Sequence, residues 1–265
     1  MVGTMSKFKQ SLTYPWALTG IFGGIHLVIT LIPYNISIGG GEISFGLVSA
    51  PIVGFLLGPF YGVLAVIMGS LIALFFNPLI AILGPFTILA TAAGAFSAGA
   101  MRTKDRTAIP ILFLIAMGVY LTSPIGLAFP FYIWFHLIAF IISLFFIMPK
   151  FSTILLNPLK LDIDSRRSRR FASIWLFSLV AVTLDQAVGS AIGGWYFILI
   201  GSQFDLILGF YELVVFLYAF ERIVGSVLVA LIIFALAEIL SKVDYGLPLA
   251  EAGEYDLLEL QEEIQ

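Results

Sequence analysis

The path of the chain through the membrane depends on residues 43–78, which have the sequence ISFGLVSAPIVGFLLGPFYGVLAVIMGSLIALFFNP. As one continuous helix this segment would be about 50 Å long, well beyond the hydrocarbon core of a bilayer, which is about 30 Å thick. Split at Gly58-Pro59, it gives two short spans of about 24 Å and 27 Å. We therefore predict a helical hairpin that turns at this glycine–proline step.

The composition indicates a membrane protein. Of the 265 residues, 60% are hydrophobic and only 11% are charged, whereas a soluble domain has about 45–50% apolar and about 25% charged residues. So few charges cannot cover a soluble globule, and the net charge of −3 argues against a nucleic-acid binder. The absence of cysteine excludes disulfides and thiol catalysis, and two histidines make a His-built metal site an unfavourable hypothesis.

Hydropathy and charge together predict the topology of an all-α bundle. Apolar runs predict eight transmembrane helices, at residues 15–33, 43–58, 59–76, 79–101, 108–128, 131–149, 171–194 and 218–241. With this count and a cytoplasmic N-terminus, all thirteen basic residues except Arg222 lie on the cytoplasmic side. We therefore expect a multi-pass protein of the cell membrane with both termini inside, a transmembrane domain at 1–243 and an acidic cytoplasmic tail at 244–265.

Ionisable residues within the predicted spans are candidate functional residues, because burying a charge in a membrane is costly. Asp185 lies in the middle of the seventh span, where it either serves function or makes a structural hydrogen bond between helices. Glu221 and Arg222 are adjacent and do not face each other on a helix, so each needs another partner. For Arg222 that partner is an anionic ligand group or Asp185. His26 and His136 are each predicted to make satisfied contacts between helices.

Polar and aromatic residues also gather on the predicted external side. Three consecutive glycines in the sequence NISIGGGE at 35–42 predict a mobile lid. Aromatic residues at this level are also typical of an interfacial belt. The external residues that could converge into one pocket are Tyr34, Asn35, Asn77, Trp195, Tyr196, Gln203, Asp205, Tyr211 and Glu212.

No sequence motif for chemistry is visible. The chain lacks the phosphate-binding pattern GxxxxGK[ST], the zinc-protease pattern HExxH and the nucleophile pattern GxSxG. We therefore predict transport or binding rather than catalysis, and we predict no cofactor and no metal. The scarcity of histidine and cysteine favours an organic ligand over a transition metal.

Three segments resemble the substrate-binding S components of energy-coupling factor (ECF) transporters. The first is 43–78, where Gly58, Pro59, Gly62 and Gly69 match the family's glycine–proline turn and the glycine-spaced helix after it. The second is 86–106, a small-residue helix that runs into RTKDR, and the third is ERIVGSVLVALIIFAL from Glu221. Members of the family usually have six spans, so eight spans imply an additional hairpin within 108–194.

The resemblance implies the high-affinity membrane receptor of a vitamin or metal uptake system. ATP hydrolysis would belong to two separate ATPase subunits, joined through a transmembrane coupling subunit. The loop at 34–42 would cover the ligand, and the small residues Ala17, Gly20 and Gly24 of the first helix would dock the coupling subunit.

We predict, on this basis, an ABC-type importer subunit that captures a small water-soluble nutrient, a vitamin or its precursor, on the extracellular side. Two rivals stay open: a stand-alone secondary transporter coupled through Asp185, and a non-transport scaffold or membrane enzyme. The candidate substrate-binding residues are Tyr34, Asn35, Glu42, Asp185, Trp195, Tyr196, Glu221 and Arg222.

Overall fold

A computed structural model describes residues 13–38, 41–157 and 167–240 of the chain. The described part is a helical bundle, as predicted, with one short antiparallel β-hairpin added to it. The predicted acidic tail at 244–265 lies outside the described residues. The elements are α1 (Thr13–Thr30), β1 (Pro33–Ile38), β2 (Gly41–Ser44), α2 (Gly46–Phe76), α3 (Thr87–Ala100), α4 (Ala108–Leu121), α5 (Pro124–Ala128), α6 (Trp134–Ile147), α7 (Pro149–Leu156), α8 (Arg167–Leu199), α9 (Phe204–Val214) and α10 (Leu217–Leu240).

Helix α2 is folded in two at Gly58, which confirms the predicted turn. Gly58 has φ of 80° and ψ of −179°, a conformation that glycine adopts far more readily than other residues. A Cβ atom added to Gly62 would lie 2.8 Å from the Cα atom of Gly54, although residues eight apart in a straight helix are about 12 Å apart. The two halves, 46–57 and 59–76, therefore pack against each other as a hairpin. Pro59 begins the second half, where a missing N–H costs no helical hydrogen bond.

Small residues let α1, α2 and α3 approach one another backbone to backbone. A Cβ atom added to Gly54 would collide with the carbonyl oxygen of Ala95 in α3, and one added to Gly99 would collide with the backbone of the turn in α2. On the other side, a Cβ atom at Gly23 would lie 3.1 Å from the carbonyl oxygen of Ala65. Such contacts are typical of helices in lipid, where close packing replaces the hydrophobic effect between helices.

His26 joins α1 to both halves of α2. Its Nδ1 atom lies 2.7 Å from Ser49 Oγ, and its Nε2 atom lies 3.0 Å from Ser70 Oγ and 3.3 Å from Thr30 Oγ1. The ring is fully buried, and every polar atom on it has a hydrogen-bonding neighbour. The prediction that His26 is a satisfied contact between helices is therefore confirmed.

The bundle has one end that carries most of its described basic side chains, which we call the basic end. There Arg102 Nη1 donates a hydrogen bond of 2.6 Å to the carbonyl oxygen of Phe55, and the guanidinium lies 4.4 Å from the centre of the Phe55 ring. These contacts attach the end of α3 to the turn of α2. Arg170 of α8 lies 3.5 Å from Glu238 of α10 at this end.

The opposite end, which we call the far end, contains the β-hairpin, α5 and α9. Strand β2 lies beside the 3₁₀ turn Pro78–Ile80, and α9 contacts α5. A Cβ atom added to Gly193 of α8 would lie 2.6 Å from Tyr211 Oη and 3.4 Å from Leu83 Cδ2. Helix α9 therefore meets the segment that leads into α3, and the two lie around the end of α8.

Three predicted elements differ from the structure. The span predicted at 79–101 is α-helical only from Thr87, because Pro78–Ile80 and Gly84–Phe86 form 3₁₀ turns first. The span predicted at 108–128 breaks after Leu121, where Ser123 Oγ accepts a hydrogen bond from Gly126 N and caps α5. The loop predicted at 34–42 overlaps β1 and β2.

Within the described part of the chain, four helical segments are long and apolar enough to cross a membrane. One of them is α2, whose hairpin divides it into halves of 12 and 18 residues. Large apolar side chains also cover the outside of the bundle; Phe75, for example, is 88% exposed. These features are those of a membrane protein. The four segments are Gly46–Phe76, Pro130–Ile147, Arg167–Leu199 and Leu217–Leu240.

Replacing Gly62 by valine should destabilise the hairpin in α2, because the new side chain would collide with the backbone at Gly54. We expect a loss of about 1–3 kcal/mol, the usual cost of overpacking, measured by thermal unfolding in detergent. Gly118→Val in α4 is the matched control, since a Cβ atom there meets no atom within 4 Å. Equal unfolding temperatures for the two variants would contradict the hairpin contact.

Candidate functional site

Four ionisable side chains lie together inside the bundle, between its middle and the far end. They are His136 of α6, Asp185 of α8, and Glu221 and Arg222 of α10, and we call them the polar cluster. His136 is 1% exposed and each of the other three is 6% exposed. Three separate helices thus bring charged groups into a region that holds little solvent.

The polar cluster is not satisfied by the protein around it. Within the described part of the chain, no hydrogen-bond partner is present for Asp185 Oδ2, Glu221 Oε1, Arg222 Nε and Nη1, or His136 Nε2. Buried polar atoms are nearly always paired in native proteins, and each unpaired one costs about 1–3 kcal/mol. These atoms therefore lack a hydrogen-bond partner in the described bundle, which makes the polar cluster the candidate site.

Arg222 is the electrostatic centre of the polar cluster. Its positive charge interacts with Asp185, Glu221 and His136, and also with Tyr132. In the described residues, however, no ion pair joins Arg222 to either carboxylate; the described ion pairs involve Glu238 at the basic end. The charges therefore share one region without neutralising each other by direct contact.

A group of four tyrosines, which we call the tyrosine cluster, adjoins these charges. Tyr132 is central: its ring centre lies 4.6 Å from Tyr218, 4.7 Å from Tyr211 and 5.5 Å from Tyr120. The His136 ring lies 5.4 Å from Tyr218 and 6.0 Å from Tyr132, so it belongs to both clusters. The polar cluster is therefore bordered by aromatic rings.

Hydrogen bonds hold part of the tyrosine cluster in place. Tyr218 Oη donates to the carbonyl oxygen of Tyr132 at 2.6 Å, and Tyr120 Oη donates to that of Phe129 at 3.1 Å. Gln186 Nε2 donates to Tyr132 Oη at 3.2 Å. The aromatic side of the site is thus bonded into the bundle, in contrast to the neighbouring charges.

Helix α9 covers the tyrosine cluster from the far end. Its only buried residues are Tyr211 and Val214, and the Tyr211 ring packs against the rings of Tyr120 and Tyr132. Burial raises the pKa of the Tyr211 phenol well above its ordinary value, so the hydroxyl stays protonated at physiological pH. Contact through so few buried side chains makes α9 the most weakly attached described helix above the site.

Of the eight predicted site residues, the structure brings together Asp185, Glu221 and Arg222. Trp195 is 38% exposed and donates its Nε1–H to the carbonyl oxygen of Val119, outside the polar cluster. Tyr196 packs against Phe86, with ring centres 6.2 Å apart. Among the other external candidates, Asp205 and Glu212 are exposed on α9, whereas Tyr211 is part of the site. The side chains of Tyr34, Asn35 and Glu42 lie outside the described part of the structure.

Several site residues were missed by the sequence analysis. The interpretation of His136 as a satisfied contact is wrong, because its Nε2 atom has no partner among the described residues. Tyr132 and His136 are four residues apart, and so are Tyr218 and Arg222, which places each pair on one side of a helix. This four-residue spacing was the signal from which the sequence analysis could have identified these residues. The missed residues are Tyr120, Tyr132, His136, Gln186 and Tyr218.

A groove of about 850 Å³ lies elsewhere, at the basic end beside the second half of α2. Its lining is apolar except for Asp105 and Thr107, and its wall residue Phe60 is 64% exposed. We assign it no ligand, because its surface resembles the lipid-facing surface of the rest of the bundle. Among the described residues, no group of three or more His, Cys, Asp or Glu side chains could hold a metal ion.

The unpaired charges give a direct test of whether Asp185 is a structural or a functional residue. We expect Asp185→Asn to raise the stability of the ligand-free protein by about 1 kcal/mol or more, because an amide is cheaper to bury than an unpaired carboxylate. The measurement is thermal unfolding in detergent. Asp205→Asn, on an exposed residue of α9, should change stability by less than about 1 kcal/mol. Clear destabilisation by Asp185→Asn would show a structural hydrogen bond instead.

Comparison with known proteins adds no relative. The chain matches no protein-family model, no curated protein and no solved structure.

Proposed function

We propose that the chain is the substrate-binding subunit of an ECF-type importer, which captures a small water-soluble nutrient on the extracellular side of the cell membrane. The observation that carries the proposal is the polar cluster, whose hydrogen-bonding atoms lack partners in the described bundle. A bound nutrient would supply those partners. The protein itself would carry out no chemical reaction.

The composition of the site supports ligand binding. Small-molecule sites combine aromatic or apolar walls with a few polar groups that orient the ligand. Here the tyrosine cluster supplies the walls and the polar cluster supplies the polar groups. Ionisable residues inside a membrane bundle are costly and commonly mark a ligand or ion site, which is consistent with this role.

The arrangement of basic residues supports an extracellular opening. Arg102 and Arg170 lie at the basic end together with the turn of α2, and basic residues favour the cytoplasmic side of a membrane. The far end, with α9 and the tyrosine cluster, would then face outside. This orientation agrees with eight spans and two cytoplasmic termini. The β-hairpin formed by β1 and β2 would provide the lid.

The surface of α1 supports docking of a coupling subunit, which would link the chain to two ATPase subunits. Ala17, Gly20 and Gly24 are all exposed, and a Cβ atom added to either glycine would meet no atom within 4 Å. Gly23, by contrast, packs against α2. The exposed stripe therefore contributes nothing to packing within the described bundle, and it offers a partner helix a close approach.

The proposed function is tested by capture and by transport. Native mass spectrometry of the detergent-purified chain should reveal a co-purified small molecule. Liposomes that contain the chain, a coupling subunit and two ATPases should take that molecule up only when ATP is supplied. Absence of any bound molecule, together with absence of ATP-dependent uptake, would contradict the proposal.

Loss of the central charge should weaken capture. We expect Arg222→Ala to reduce affinity for the co-purified molecule at least tenfold, equivalent to about 1.4 kcal/mol, because it removes two unpaired donors from the site. Glu42→Ala should also reduce the affinity for this molecule if the predicted lid contacts the ligand. Calorimetry measures both. Arg167→Ala, on a side chain that is 83% exposed at the basic end, is the control, and equal affinities for all three variants would refute the placement.

A bulky residue on the α1 stripe should separate docking from ligand binding. We expect Gly20→Leu to abolish co-purification with the coupling subunit, while the unfolding temperature and the ligand affinity stay unchanged. Gly118→Leu, at another glycine with open space around it, should retain the partner. Retention of the coupling subunit by both variants would place the docking surface elsewhere.

A stand-alone secondary transporter is the second candidate function, because Asp185 is a deeply buried carboxylate with an unpaired oxygen. Such a group is suited to carry a proton or bind a coupling ion. Uptake driven by an ion gradient in liposomes that contain only this chain would favour it. Loss of that uptake in Asp185→Asn would identify the coupling residue.

A further inference from the structure

We infer that the ligand of the polar cluster is an organic cation, specifically a protonated amine or nitrogen heterocycle that carries N–H donors. The inference rests on the proposed function in assuming that a small molecule binds at this cluster. It goes further by assigning the chemical class of that molecule from the atoms left unpaired and from the charge of the site.

The unpaired atoms define what the ligand must offer. Asp185 Oδ2 and Glu221 Oε1 are acceptors on two different helices, so the ligand needs hydrogen-bond donors in two directions. Arg222 Nε and Nη1 are donors, so the ligand also carries an acceptor. His136 Nε2 fills either role, depending on its tautomer. An amine or a nitrogen heterocycle with a neighbouring oxygen or ring nitrogen meets these requirements.

The charge of the polar cluster selects a cation. Two carboxyl groups and one guanidinium lie in the same buried region, so one carboxylate has no compensating positive charge when both carboxyl groups are ionised. An uncompensated buried charge is strongly unfavourable, and one positive charge on the ligand would neutralise it. A neutral ligand would leave the excess negative charge, and an anionic ligand would double it.

The aromatic rings and the distribution of basic residues around the polar cluster also favour a cation. The faces of the tyrosine rings carry negative electrostatic potential and attract cations. Tyr132 and Tyr218 lie next to the cluster, with ring centres 6.0 Å and 5.4 Å from the ring of its member His136. The described basic residues Arg102 and Arg170 lie at the basic end, away from the far end of the bundle. A cation that approaches from the far end therefore meets no described repulsive charge before Arg222.

Three probes with the same phenol ring test the charge preference at pH 7. They are tyramine, a cation; tyrosol, a neutral alcohol; and 4-hydroxyphenylacetate, an anion. With the detergent-purified full chain and calorimetry or thermal shift as readout, we expect tyramine to bind at least tenfold more tightly than tyrosol and the anion not to bind. Equal or tighter binding of tyrosol or the anion, or binding of none of the three, would overturn the inference.

Two carboxylate variants test whether the charge preference arises at the polar cluster. Glu221→Gln should lower the affinity for tyramine about tenfold and reduce its advantage over tyrosol, because the site loses its excess negative charge. Glu238→Gln removes a carboxylate at the basic end and should leave tyramine affinity within twofold. An unchanged preference in Glu221→Gln would refute the assignment to this cluster.

The outcome for this inference can be separated from the outcome for the proposed function. If native mass spectrometry finds a co-purified molecule that is anionic or neutral, the chain is a binding subunit and the inference of a cation is wrong. If it finds a cation, and tyramine is also preferred, both are supported. If no molecule co-purifies and no probe binds, both fail.

Discussion

Close contact between backbones at the hairpin of α2 is the constraint on which the rest of the structure depends. Gly58 can adopt a positive φ, and Gly54 and Gly62 have no side chains to keep the two halves apart. The turn sets the direction in which every later helix passes through the bundle. Arg102 then fixes the turn from α3 through the carbonyl oxygen and the ring of Phe55. Without this reversal, the basic segments could not collect at one end.

Some buried polar groups of the bundle have hydrogen-bond partners, whereas others have unpaired atoms. His26 joins α1 to both halves of α2, with hydroxyl groups around both ring nitrogens, and contributes to packing. His136, Asp185, Glu221 and Arg222 are equally buried but retain unpaired atoms. Since an unpaired buried group lowers stability, the second arrangement is typical of a site whose partners arrive with a ligand. Under the proposed function, ligand binding and stability would oppose each other at this site, as they commonly do in binding proteins.

The sequence predicted one part of the site because charge stands out in an apolar chain. Asp185, Glu221 and Arg222 were recognisable as costly residues within predicted spans. The tyrosines were harder to recognise, because Tyr120, Tyr132, Tyr211 and Tyr218 come from four separate segments and meet only after folding. Tyr196 illustrates the reverse error: it follows Asp185 by eleven residues, on nearly the same side of α8 but about 16 Å farther along the helix. It therefore packs against Phe86 instead of entering the site.

The sequence by itself determined the membrane class, the turn at Gly58-Pro59 and the gathering of Arg102 and Arg170 at one end of the bundle. These follow from local properties, namely hydropathy, glycine and proline geometry, and the distribution of charge along the chain. Only the tertiary structure decided which polar residues are satisfied and which are not. His26 and His136 look alike in the sequence, and their difference comes from neighbours on other helices: Ser49 and Ser70 surround His26, whereas His136 adjoins Arg222 and the tyrosines. Hydrogen-bond satisfaction depends on distances between segments, which a single sequence does not specify.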